Sequence, residues 1–199
     1  NWTRNKKLFA SFLGIVGFVA VLVIFFVILP IQATISSAKA TYTESKQIYA
    51  QVKNQDLIKT EEEISKTKVK LALTKSNLNK ISWMAVIPFV GDYVSDGKHL
   101  LNAAGYGLDG GDILVKAALP YADLLGLKGK GTFTGGTTEE RIQKMVETLD
   151  KVSPEFDKVA DKLDLVKKEV DQVDPNRYPE TFQGKPIKSS LVDAKKVLD

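Results

Sequence analysis

The sequence predicts an all-α protein, with one N-terminal transmembrane helix followed by an extracytoplasmic helical hairpin or bundle. Three observations lead there. Residues Leu8–Leu29, LFASFLGIVGFVAVLVIFFVIL, carry no charge, and none returns before Lys39. Beyond them, apolar residues recur at three, four and seven residue spacings, the period of amphipathic helices. No run alternates apolar and polar side chains as a half-buried strand would.

A helix of about 20 apolar residues crosses a hydrocarbon core of roughly 30 Å. Helix is the natural form there, because lipid offers backbone amides no partner. A cleaved signal peptide has a shorter apolar region and a small-x-small exit, and Leu29-Pro30-Ile31-Gln32-Ala33 is a poor one. A buried core helix would keep a polar face. Residues 1–7 therefore read as a cytoplasmic basic flank and 8–33 as the transmembrane helix, with a kink or break expected at Pro30. Arg4, Lys6 and Lys7 precede the span, and no Lys or Arg follows before Lys39, so the positive-inside rule puts the N-terminus in the cytoplasm and the remainder outside. Ala10, Gly14 and Gly17 lie near one helical face. Small residues so spaced let a second span approach closely, or simply reflect how common Gly and Ala are in membrane helices.

The formal charge is +4, but the flank supplies three of the 28 basic residues, leaving 25 against 24 acids. So balanced a remainder lacks the basic footprint of a nucleic-acid binder. With no cysteine, the chain has no disulfide, thiolate metal site or thiol nucleophile. The part after the span is long enough for one domain with a core.

Residues 34–127 read as a helical stalk or hairpin containing a Trp-Pro-Gly turn. In Thr34 to Lys53, Ile35, Tyr42 and Tyr49 stand seven apart, with Ala38 and Val52 between, a narrow coiled-coil-like stripe. Asp56 is an N-cap candidate. The helix it opens, to about Lys80, carries Leu57, Ile64, Leu71 and Leu78 at heptad spacing, with Thr60, Thr67, Thr74 and Ile81 as companions. Glu61-Glu62-Glu63 suits the helix dipole as a solvated first turn. Next comes Ser82-Trp83-Met84-Ala85-Val86-Ile87-Pro88-Phe89-Val90-Gly91-Asp92-Tyr93, the most apolar segment outside the span. Pro88 and Gly91 bar a regular helix through it. It is expected to turn the chain and bury Trp83, Ile87 and Phe89 against neighbouring helices. The alternative is an amphipathic patch on the bilayer interface, where Trp and Tyr are favoured.

The order of basic flank, single span, two thin helices, W-x3-IP-x2-G-x-Y and D-x3-LL-x-AA resembles the N-terminal region of a family of uncharacterised bacterial membrane-anchored envelope proteins. Trp83, Ile87, Pro88, Gly91, Tyr93, Asp96, Leu100, Leu101, Ala103 and Ala104 carry the resemblance, which covers roughly Leu8 to Leu125. It implies a helical region leading to a larger extracytoplasmic domain beyond Asp199, and it brings no catalytic residues.

Asp92 to Leu127 reads as a helical stretch interrupted by Gly105, Gly107, Gly110 and Gly111, with Pro120 near its end. Gly105-Tyr106-Gly107-Leu108-Asp109-Gly110 matches GxGxxG in form, but a dinucleotide site needs a strand before it and a βαβ unit around it. The glycines are expected to allow close helix packing or a bend. His99, the lone histidine, is expected to pair with Asp96 on the surface. Residues 128–136, KGKGTFTGG, read as a flexible loop. Its Gly-Lys-Gly is no P-loop, because Gly131 stands where Ser or Thr would hold magnesium. Residues 137–199 read as helical. Thr137 to Glu140 is a capping box. Ile142, Met145, Val146, Leu149 and Val152 form a stripe, and Ser153-Pro154 restarts a helix lined by Phe156, Val159, Ala160, Leu163, Val166, Val170 and Val173. Asp174 to Pro186 is a connector, and Ile187 begins a last helix.

No Ser/His/Asp set, HExxH or placed carboxylate pair marks an enzyme, so catalytic, metal and cofactor-binding residues are expected to be absent. The expected role is a non-enzymatic, membrane-anchored module that positions a partner or a distal domain in the cell envelope. Its structural or interaction residues would be Trp83, Ile87, Pro88, Phe89, Gly91 and Tyr93. Expected partners are the membrane and a protein or a second copy met through the helices, with no nucleic acid and no small-molecule cofactor. Two alternatives stay open: a sensory ectodomain, and the stalk of an envelope-polymer enzyme.

Overall fold

The computed structural model describes the backbone of residues 2–129, 137–182 and 184–199, and their side chains except 2–12, 138, 141 and 145. The protein is all-α. Helices α1 (Trp2–Val23) and α2 (Leu29–Lys53) are joined by a π-helical turn, Ile24–Ile28. Pro30 explains that turn. Its ring crowds the carbonyl four residues back, and the helix relieves the crowding by widening, so that the Leu29 N–H reaches the Ile24 carbonyl. A change of register thus replaces the expected break. Leu13–Lys53 is one helix of 41 residues, long and apolar enough by length and composition to cross a membrane, and its most apolar stretch has no protein packed over it.

Helix α3 (Leu57–Lys80) runs back along α2. Gln55 takes the left-handed backbone that closes the first helix (φ 56), and Asp56 caps the second by accepting the Lys59 N–H at 3.0 Å. Helix α4 (Val90–Ala118) lies on the other side of α3 and ends in a 3-10 turn at Leu119–Tyr121. The chain then returns to the hairpin tip, where the Leu57 N–H bonds the Leu127 carbonyl at 2.9 Å and the Gly129 N–H bonds the Gln55 carbonyl at 3.0 Å. Helix α5 (Thr138–Asp171) packs antiparallel on α4, opening with the expected capping box. A 3-10 turn at Pro175–Arg177 follows, then a ribbon of β1 (Thr181–Phe182) and β2 (Lys185–Pro186), then α6 (Lys188–Leu198). The ribbon is the one strand pair among the described residues, and the sequence reading had no strand there.

Helix α3 is the middle layer, and its heptad lines face opposite ways. Ile64, Leu71 and Leu78 are buried towards α4, where the positions a Cβ would take on Gly111, Gly105 and Gly97 stand 3.5–3.8 Å from their methyl carbons. Thr60, Thr67 and Thr74 are buried too, each donating its hydroxyl to the carbonyl four residues back. The Thr74 line meets α2: its hydroxyl lies 2.9 Å from that of Thr41, and Asn77 donates to the Ser37 hydroxyl at 3.2 Å. The packed face of α2 is therefore built on Ser37 and Thr41. The expected stripe of Ile35, Tyr42, Tyr49 and Val52 is exposed. Short hydroxylated residues fit the threonine line, and the large side chains face away from it.

The α4 glycines do not interrupt the helix. Gly107 and Gly110 lie on its other side, against Val166, Val159 and Lys162 of α5. Pro154 likewise sits inside a continuous α5 instead of restarting a helix. The buried face of α5 uses Val152 and Val170, with Val173 buried in the turn just after it, whereas Ile142, Val146, Leu149, Phe156 and Leu163 are exposed. At 34 residues against 29, α5 outruns its partner, so its first turns pass the end of α4. Of the expected loop 128–136, only Lys128 and Gly129 are described; the Met145 side chain is also outside the described residues.

Candidate functional site

The turn between α3 and α4 is set by a three-residue period. Ser82–Val86 is a 3-10 helix, in which residues three apart eclipse. Ile81 and Met84 point inwards and form a cluster with Leu78 and Val94, against which Ile87, Val90, Leu101, Val27 and Ile31 pack. The same period turns Trp83 and Val86 outwards, 50% and 87% exposed, and Phe89, beyond the 3-10 helix, is 87% exposed as well. The expected burial of Trp83 and Phe89 is thus corrected, while Ile87 is half-buried and Pro88 exposed.

The turn is closely constrained. Pro88 holds Ile87 extended (φ −84, ψ 123). Phe89 follows with φ 67, ψ −30, a conformation usually left to glycine at the second position of such a turn. For a bulky residue it costs about 1–2 kcal/mol. Hydrogen bonds from Ile87 to the Met84 carbonyl (3.0 Å) and from Gly91 to the Ile87 carbonyl (2.8 Å) close it. Gly91 is obligatory, because a Cβ there would stand 2.1 Å from the Ala85 carbonyl oxygen.

Beside the turn, the C-terminal segment clasps α4. Asp96 is 2% exposed and accepts from Arg177 Nη1 at 2.6 Å and from the Tyr178 hydroxyl at 2.9 Å. Burial, and then the bond to Asp96, push the Tyr178 phenol above its ordinary range. Tyr93 stacks edge-on to Tyr178 at 5.5 Å and donates its hydroxyl to the Arg177 carbonyl. His99 pairs with Glu169 at 2.6 Å, not with Asp96, and Asn102 donates to the same carboxylate at 3.3 Å. The sequence reading pairs Asp96 with His99 three residues on, and nothing local in the sequence points to Arg177, 81 residues away.

Tyr93, Tyr178, Pro179, Phe182 and Ile187 line an apolar cavity of about 430 Å³. Both tyrosine hydroxyls are already engaged, so the cavity offers ring faces but few polar groups to orient a ligand. Between α3, α4 and α5, Lys68 bridges Asp109 (2.9 Å) and Asp112 (2.8 Å), with Lys116 on Asp112 and Lys162 on Asp109. Burial alone would raise both carboxyls; the lysines outweigh it and hold them below their ordinary values. Among the described residues no three His, Cys, Asp or Glu side chains group as metal ligands. Gly105, Gly107 and Gly110 lie in mid-helix, where no strand-to-helix phosphate cradle forms. Gly14 and Gly17 have open space where a Cβ would stand, whereas the Ala10 side chain is outside the described residues.

Comparison of the chain with protein-family models, with curated proteins and with solved structures found no match.

Proposed function

We propose that this chain is a non-enzymatic, membrane-anchored helical module that holds a protein partner or a distal domain at a fixed stand-off outside the cytoplasm. The observation that supports it best is the continuity of the bare apolar helix with the first helix of the bundle. Such a joint transmits position and orientation, whereas a flexible tether would transmit neither. The basic flank before the span supports an outside location for the bundle. The resemblance carried by Trp83, Ile87, Pro88, Gly91 and Tyr93 belongs to the same proposal. The apolar cavity is where a ligand of the sensory alternative would sit, but its occupied hydroxyls favour the structural role.

Topology is tested with a single cysteine, because the chain has none of its own. Ser189 is exposed on α6. In intact cells, Ser189→Cys should react with a membrane-impermeant maleimide without lysis. Labelling only after lysis would place the bundle in the cytoplasm and end this reading.

A further inference from the structure

We propose that the turn between α3 and α4 is a second membrane contact, with Trp83, Val86 and Phe89 seated among the headgroups and upper acyl chains of the leaflet from which the apolar helix emerges. This rests on the membrane-anchored reading. Depth is the first argument. Val27, inside the uncharged run Leu8–Leu29, and Ile31 just after it pack on the cluster of Leu78, Ile81, Met84 and Val94. The antiparallel register agrees: Ser37 meets Asn77 and Thr41 meets Thr74, so going down α2 and into the π turn at Val27 brings the other helix of the hairpin, α3, to the turn. The turn therefore lies alongside the end of the apolar run. A lipid surface that surrounds Val27 also reaches the turn.

Chemistry is the second argument. From Ile81 to Gly91 there is no charged residue. Tryptophan favours the interfacial zone, where its ring is apolar and its N–H is wet. Trp83 and Val86 share one face of the 3-10 helix. Rigidity is the third. A left-handed Phe89 and an obligatory Gly91 fix a turn whose Val86 and Phe89 side chains lie 87% exposed. Strain retained at an exposed site points to something outside the chain that uses it.

The chain has two tryptophans, so Trp2→Phe leaves Trp83 as sole reporter. The full-length variant is reconstituted into phosphatidylcholine–phosphatidylglycerol vesicles and first floated on a density gradient. The expected result is flotation, with blue-shifted Trp83 emission that is lost to lipids brominated near the glycerol end of the acyl chain and insensitive to iodide. Adding Phe89→Asp should leave the melting profile in place and weaken the lipid quenching. Flotation with Trp83 open to iodide overturns the second contact while leaving the anchor intact. Shielding from both quenchers also overturns it, because a second copy or a protein then covers the turn. Failure to float rejects the anchored reading and this inference with it.

Discussion

Phe89 is the residue whose backbone and side chain disagree most with its surroundings. Its left-handed backbone is unfavourable, and its ring lies 87% outside. Phe89→Gly removes the strain and loses little packing; after the larger unfolded-state entropy of glycine, the net gain is about 0.5–1 kcal/mol. Thermal unfolding in detergent should show a higher midpoint for Phe89→Gly and no such gain for Phe89→Ala, which keeps the Cβ. A drop for both would mean that the ring makes contacts the fold depends on. The sequence already marked Pro88 and Gly91 as turn residues, and both hold the turn. It was silent on which apolar side chains face inwards. Trp and Phe are common in cores, and only a three-residue backbone period, chosen by how Ile81 and Met84 pack, turns Trp83 and Val86 out, while the turn after Pro88 turns out Phe89.

Among the elements, α3 was the most legible, because Leu57, Ile64, Leu71, Leu78 and the three threonines keep one heptad through the helix. Helix α2 misled because its large residues form an apparent stripe, whereas the contact is made by Ser37 and Thr41, whose small size carries almost no hydrophobic signal. Pairings between distant elements left no trace, the Asp96–Arg177 clasp above all. That clasp predicts an asymmetry. Arg177→Ala leaves Asp96 buried with only Tyr178 and is the more destabilising of the two changes. Asp96→Leu lets Arg177, 28% exposed, turn to water, and costs less. Calorimetry on both variants in detergent checks the order. Equal losses would mean that the carboxylate never depended on this partner.

For the whole molecule, acid is the condition that reaches every layer. Asp56, whose carboxyl is held down chiefly by the Lys59 backbone N–H, and Asp109 and Asp112, held down by their lysines against burial, all lie below their ordinary values. A folded value below the unfolded one gives stability that is full above the unfolded value and fades as pH falls through the folded one. The melting temperature should therefore be flat from about pH 7 to 5 and fall below about pH 4, with Asp112→Asn losing part of that slope. A slope unchanged in Asp112→Asn would remove the lysine cluster from the explanation. The order of helices was readable from periodicity, but which faces meet was decided by glycines and hydroxyls that periodicity ignores. The π turn, finally, has a mechanical consequence. It keeps the helix unbroken past Pro30, so in the membrane-anchored arrangement proposed above α2, 25 residues and about 37 Å long, would act as a lever whose fulcrum is the bilayer. A tilt change of ~10°, such as a thicker or thinner membrane imposes, would swing the hairpin tip by roughly 6 Å, making local lipid thickness a dial on how far the module reaches.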